Sequence, residues 1–401
     1  MRIFKSAWQS IWHNRLRSFL AGFGIAWGLF LLVIFLGIGS GFKEGVMKMF
    51  EGFSQKSLFV YVGRKDNLFN RDVIEDILNR YNVITACSPE ISIPSISVAA
   101  KGETAVATVS GVGVGYFRIR IQTAREGRMF SLLDERRARN VALIGEGISQ
   151  TLFGSKSGIG EKITLGGCIF NVVGVLSSDN LFSMQERNTI FIPITSYNAC
   201  FNTAGSIPSF CLSLSSEADA TAIEKDLKGY LAYHCSFDTD DDQAVYIANI
   251  EAQAASFNDL FRGLEILIWI VGICLLLSGI VGVCNVMLII VKERTNEIGI
   301  RKAVGATSLS VITMVLAESV TITALSGIAG SALGAIVLLV ADKWILPLLN
   351  LDMMGNLSIN GGAVLVALVI LCIAGVAAGL FPAIRASQIA PVDAIRYENR
   401  E

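Results

Sequence analysis

The chain has 401 residues, 52% of them hydrophobic, and 33 Lys and Arg against 34 Asp and Glu. That composition, with a mean hydropathy of +0.56, excludes an ordinary water-soluble globular protein of this length. A formal net charge of −1 gives no electrostatic footing for a nucleic-acid partner.

Residues 1–17 combine Arg2, Lys5, Arg15 and Arg17 with an apolar face of Ile3, Phe4, Ala7, Trp8, Ile11 and Trp12. That spacing predicts a cytoplasmic amphipathic helix lying in the membrane interface, against the simpler reading of a basic flank. An apolar run follows, long enough to span a bilayer and without a small-residue cleavage site, so 18–40 is expected to be an uncleaved first span. Phe42, Val46, Met49, Phe50 and Phe53 then keep helical spacing, predicting an outer stalk over 41–55.

Residues 56–240 have ordinary polar composition and predict a folded α+β domain. Alternating stretches around Lys101-Gly102-Glu103 and around Gly166-Gly167 predict two hairpins. Further strands are expected at 58–62, 141–144, 190–194 and 210–214, and helices at 72–81, 147–153 and 218–231. Strand-helix units at both ends enclose a β-rich middle. A discontinuous subdomain with an insert near 114–206 is therefore expected. A second stalk, 241–262, carries Ile247, Ile250, Ala254, Phe257 and Phe261 close to a heptad seam. The two stripes either bury each other or pack separately on the outer domain.

The remaining spans are expected at 263–291, 309–341 and 362–382, with a short outer loop at 342–361 and a tail at 383–401. Between the second and third lies the charged island 292–308. Basic residues concentrate in the N-terminus, in the island (Lys292, Arg294, Arg301 and Lys302) and in the tail (Arg385, Arg396 and Arg400). The loop 342–361 has only Lys343. Both termini and the island are thus expected in the cytoplasm and the large domain outside. Cys87, Cys168, Cys200, Cys211 and Cys235 fall in that domain, where one or two disulfides are possible.

No phosphate-binding loop, zinc-protease motif or nucleophile elbow is present, and His13 and His234 are too far apart in the chain to suggest a pair. Asp238, Asp240, Asp241 and Asp242 have Gln243 where a calcium loop needs glycine, so they read as a solvated loop. No catalytic, cofactor or metal site is expected.

In the island, Glu297 precedes Arg301 by four residues, the favourable helical order, and Ile298 and Ile300 add apolar surface. Gly305 can end this short helix, and Thr307 or Ser308 can cap the next. The residues alone fit either a helix built for another protein's groove or a plain basic loop. Within the spans, Asn285 needs a hydrogen-bond partner, and Glu318 is a functional candidate or an acid reaching the inner interface. The pairs Gly24/Gly28, Gly330/Gly334 and Gly375/Gly379 permit close helix contacts.

The segment 279–307, GIVGVCNVMLIIVKERTNEIGIRKAVGAT, closely resembles the signature of the MacB/FtsX-like family of ABC transporter permeases. The tail 379–398, GLFPAIRASQIAPVDAIRYE, resembles the same family's C-terminal signature. Residues 141–176 resemble the outer domain of its MacB-type members more loosely. The resemblance implies an α-helical membrane protein of four spans in the bacterial inner membrane. It also implies a periplasmic α+β domain, with porter-like and sabre-like subdomains, between spans 1 and 2. It implies a non-catalytic permease, working as a dimer with a separate ATPase that holds the ATP and Mg. The separate ATPase is expected because the chain begins only about 17 residues before its first span. By resemblance the island is the coupling helix that docks on that ATPase. Glu297, Ile298, Arg301 and Lys302 fall in the docking motif, with Glu293 and Arg294 at its edge. Substrate is left open, as are an adaptor and an outer-membrane channel. The alternatives are a non-transporting regulator of envelope enzymes and a lipoprotein-releasing permease.

Overall fold

The computed structural model describes residues 15–63, 69–177, 186–203, 207–239, 241, 243–349, 355, 357 and 361–388. Most of the expected interfacial helix at 1–17, most of the tail at 383–401, and Asp240 and Asp242 lie outside these residues. The chain divides into two compact units, Met1–Gly45 with Leu260–Glu401, and Val46–Asp259. Helix α1 (Arg15–Glu51) is unbroken from one into the other.

The second unit is built on one ten-stranded mixed sheet. After α1 come β1 (Ser57–Val62), α2 (Arg71–Arg80), the long β2 (Ile84–Ala100) and β3 (Glu103–Val112). Next are β4 (Ala124–Gly127), β5 (Val141–Ile144), α3 (Glu146–Phe153), β6 (Lys162–Leu165) and β7 (Cys168–Leu176). Then follow β8 (Thr189–Pro193), α4 (Ile194–Phe201), β9 (Ser209–Leu214), α5 (Ala220–Cys235) and β10 (Val245–Asn249). The strand order is β10-β1-β9-β2-β3-β8-β5-β7-β4, with β6 pairing β2 and β7. Both expected hairpins are present. Lys101 (φ 49°) and Gly102 (φ 89°) turn β2 into β3, and Gly166 (φ 53°) and Gly167 (φ 87°) turn β6 into β7. Two consecutive positive φ angles match the right-handed twist of the flanking strands.

One set of elements surrounds Leu58, Val60, Phe69, Ile77, Phe210, Leu227 and Leu231. The segment between β3 and β9 has its own core with β2 and β3, including Val98, Val109, Ile144, Phe170 and Tyr197. A third cluster contains Phe53, Phe59, Tyr116, Phe117 and Phe191 and joins the two halves. One disulfide, Cys168–Cys200, ties β7 to α4, and Cys87, Cys211 and Cys235 are free.

Two local expectations are corrected here. β2 begins at Ile84, well before the alternating stretch that marks its hairpin with β3, although it contains Pro89 and Pro94. The strand absorbs Pro94 at a register shift between Ile93 and Ile96, with Ser95 at φ 59°. Residues 245–249 are strand rather than stalk helix, because they add to the edge of β1 in antiparallel register. Ile247 therefore leaves the expected seam. The following helix, α6 (Ile250–Glu293), starts where the Asn249 side chain accepts the N–H of Ala252 at 3.1 Å. The stripes on α1 and α6 do meet. The rings of Phe50 and Phe257 are 5.7 Å apart in the second unit, and those of Phe42 and Phe261 are 5.7 Å apart in the first.

In the first unit α6 is followed by α7 (Thr295–Ala303), α8 (Ser308–Val340), a π-helical turn at Ala341–Ile345, and α9 (Gly361–Ser387). Among the described residues, four helices are long and apolar enough to cross a membrane. Ile25 and Leu29 of α1, Val283 and Met287 of α6, Val315 and Ile322 of α8, and Leu371 and Ala378 of α9 share one core. All three small-residue pairs are used inside this chain. Gly24 and Gly28 approach Gly279 and Leu275 of α6, Gly330 and Gly334 approach Ala26 and Val33 of α1, and Gly375 and Gly379 approach Thr323 and Ser319 of α8.

Candidate functional site

The island folds as a short helix bent off the end of α6. Arg294 separates the two helices, and the Thr295 hydroxyl donates back to the Val291 and Lys292 carbonyls. At the other end Gly305 takes φ +103°, open to glycine without strain. The Ala306 N–H bonds back to the Arg301 carbonyl at 3.0 Å and the Gly305 N–H to Lys302 at 3.1 Å, closing the helix. Thr307 then caps α8, its hydroxyl oxygen accepting the Ser310 N–H at 3.3 Å.

The charges of α7 fasten it to the spans. Arg294 Nη1 donates to Glu318 Oε2 of α8 at 3.3 Å, and its Nε lies 3.8 Å from Glu297. Glu297 accepts from Arg301 at 2.7 Å, and the Arg301 guanidinium also reaches the Met314 sulfur of α8 at 2.7 Å. Lys302 Nζ donates to the carbonyl of Ser387, the last residue of α9, at 2.6 Å. A cation on the last carbonyls of a helix is also favoured by that helix's dipole. Glu318 is 4% exposed, so its charge is held by a partner rather than by water.

Ile298 is a correction to the expected docking motif. It is 2% exposed and belongs to the bundle core, so its side chain is not available to a partner. Two residues along α7, Ile300 turns outward at 52% exposure, and Val304 reaches 85%. The reason is helical geometry: positions two apart fall on different faces. Glu293, Glu297 and Arg301 are exposed, and Arg294 and Lys302 half-buried. The outward surface of α7 is thus Ile300 and Val304 flanked by Glu297 and Arg301. The four-residue spacing of Ile300 and Val304 was the available signal for this pair. Nothing in the spacing marked Met314 or Ser387 as anchors. Asn285 is exposed, one helical turn beyond Leu277 and Val281 on an exposed apolar face of α6.

A model of the MacB-like periplasmic core domain matches residues 18–230, and one of the FtsX-like permease C-terminal matches 269–391. The chain belongs to the MacB/FtsX-like family of ABC transporter permeases. The permease is 26% identical over 97% of its length to the macrolide export ATP-binding/permease protein MacB of Bdellovibrio bacteriovorus, covering 61% of that protein. It thus spans about three-fifths of that relative. It is also 26% identical to the ABC transporter permease YknZ of Bacillus subtilis, covering 98% of each. Among solved structures, the permease is similar to the periplasmic region of MacB from Actinobacillus actinomycetemcomitans. That match has a TM-score of 0.44 and 17% identity, and covers 52% of this chain and 95% of the other.

Proposed function

We propose that this permease couples ATP hydrolysis in a separate ATPase subunit to movement of its outer domain, and that α7 receives the force. The observation that carries this reading is the fastening of α7. Arg294, Arg301 and Lys302 bind it to α8 and α9, while Ile300 and Val304 stay uncovered. A helix that exposes apolar residues between charges suits a groove in another protein. Because its bonds run to the spans, displacement of α7 is passed to them rather than absorbed in a loose loop. The unbroken α1 and α6, with their facing phenylalanines, are the proposed transmission rods. A dimer with both termini in the cytoplasm and substrate driven outward completes the reading, and the exposed α6 face ending at Asn285 is where a second copy would sit.

The test is co-expression with candidate ABC ATPase subunits, co-purification and the ATPase rate of the complex, for Ile300→Asp and for the double reversal Glu297→Arg with Arg301→Glu. Both variants are expected to lose the complex while the permease still inserts in the membrane. Unchanged binding and ATPase rate in both would overturn the assignment of α7.

A further inference from the structure

The function proposed above leaves unused a charged cluster buried in the outer domain. Its centre is Arg120, which ends the helical turn Tyr116–Ile119 where the chain leaves β3. The Arg120 guanidinium stands 4.9 Å from the ring centres of both Phe53 and Phe59 and 5.5 Å from that of Tyr116. It pairs with Glu186 at 3.4 Å, both side chains being at most 15% exposed. Tyr116 donates to one Glu186 oxygen at 3.3 Å, and the Gln122 amide donates to the other. Glu90 of β2 is a second carboxylate within electrostatic reach of the same guanidinium and of Glu186. Two acids therefore share one cation.

The parts it connects are far apart in sequence. Phe53 and Ser54 form the segment by which α1 enters β1. The Ser54 N–H bonds the Ile119 carbonyl at 2.7 Å, directly before Arg120. Glu186 stands at the turn into β8, and the backbone of that turn is packed against Gly145, where a side chain would meet the Glu186 carbonyl at 2.4 Å. One guanidinium thus bonds the exit of α1 to the far half of the sheet.

We propose that Arg120 is the positioning residue that ties the exit of α1 to the β8 side of the outer domain, and that a proton shared by Glu90 and Glu186 sets how firmly it holds. Burial pushes the Glu186 carboxyl up to about 7 and raises that of Glu90 too, while Arg120 opposes both shifts. Tyr61 of β1, Tyr116, and Cys211 of β9 are the other titratable groups of the cluster; burial holds all three neutral near pH 7. With one proton on the acid pair, charge balances around Arg120. Without it, two buried carboxylates compete for one guanidinium, and the clamp loosens as pH rises through about 7.

The idea rests on the coupling reading only for its consequence, since it makes α1's hold on the outer domain depend on external pH. The test is amide hydrogen exchange of the full-length permease in nanodiscs between pH 5.5 and 8.5, corrected for the intrinsic exchange rate. Protection of residues 53–62 and 116–122 is expected to fall about tenfold across that range. Glu90→Gln, which removes the competing charge, is expected to keep protection high throughout, and Arg120→Met to show low protection at every pH. A wild-type profile flat in pH, or one unchanged by Glu90→Gln, would overturn the proposal, whether or not Arg120→Met folds. The α7 reversal variant should keep the wild-type profile, so failure of the coupling reading shows separately.

Discussion

The side chain of Arg294 decides how a carboxylate survives at the end of a membrane span. Glu318 is almost fully buried, and Arg294, whose side chain is 31% exposed, lies 3.3 Å away. Removing the cation leaves a buried charge, whereas removing the acid leaves an arginine that can turn to water. Arg294→Met should therefore cost about 2 kcal/mol and Glu318→Gln less than about 1 kcal/mol, with the double variant closer to the milder single. Denaturant unfolding in detergent micelles measures all three; equal costs for the singles would contradict the pairing. Sequence alone flagged Glu318 as an acid in an apolar run. It did not name the partner, because the two residues lie on different helices joined through a bend and a cap. The residues alone named both Ile298 and Ile300, and the family resemblance put Ile298 in the docking motif; which one faces inward depends on where the neighbouring spans stand.

At the scale of elements, legibility followed local chemistry. The two hairpins, the glycine stop of α7 and the threonine cap of α8 need only their own residues, and each was readable. The first part of β2, before the hairpin, and β10 were not, because their partners supply the reason they are strands. Prolines argue against β2 until the register shift is seen, and the apolar pattern at 245–250 fits a helix until β1 offers an edge. The same dependence on partners governs the span glycines. A Cβ on Gly330 would lie 2.2 Å from the Ala26 carbonyl oxygen, which is backbone of α1 and cannot turn aside. Gly282 of α6 has nothing within 4 Å of a new Cβ. Gly330→Ala should destabilise the bundle by about 1–3 kcal/mol, while Gly282→Ala should be neutral or slightly stabilising. Melting of the two detergent-solubilised variants separates them, and equal melting temperatures would mean that α1 does not pack on α8 at Gly330.

For the whole molecule, the proposed topology, with α7 inside and the second unit's domain outside, draws on two independent lines. Basic residues gather in and around α7, a segment short enough to obey the charge rule. The disulfide Cys168–Cys200 belongs to the other unit, and such bonds persist in oxidising compartments outside the cytoplasm. The charge rule cannot speak for a domain as long as the second unit, and the disulfide says nothing of α7, so neither argument borrows from the other. Exposed positions in each unit make the arrangement testable. Tyr233 is 84% exposed on α5, and Val304 is 85% exposed beside α7. In spheroplasts, a membrane-impermeant maleimide should label Tyr233→Cys above the parent background and should label Val304→Cys only after permeabilisation. Labelling of Val304→Cys in sealed cells would place α7 outside, where no ATP-hydrolysing partner could act on it. If the bound ATPase covers α7, labelling in permeabilised cells should also fall when that partner is co-expressed, because Val304 lies within the surface proposed to dock.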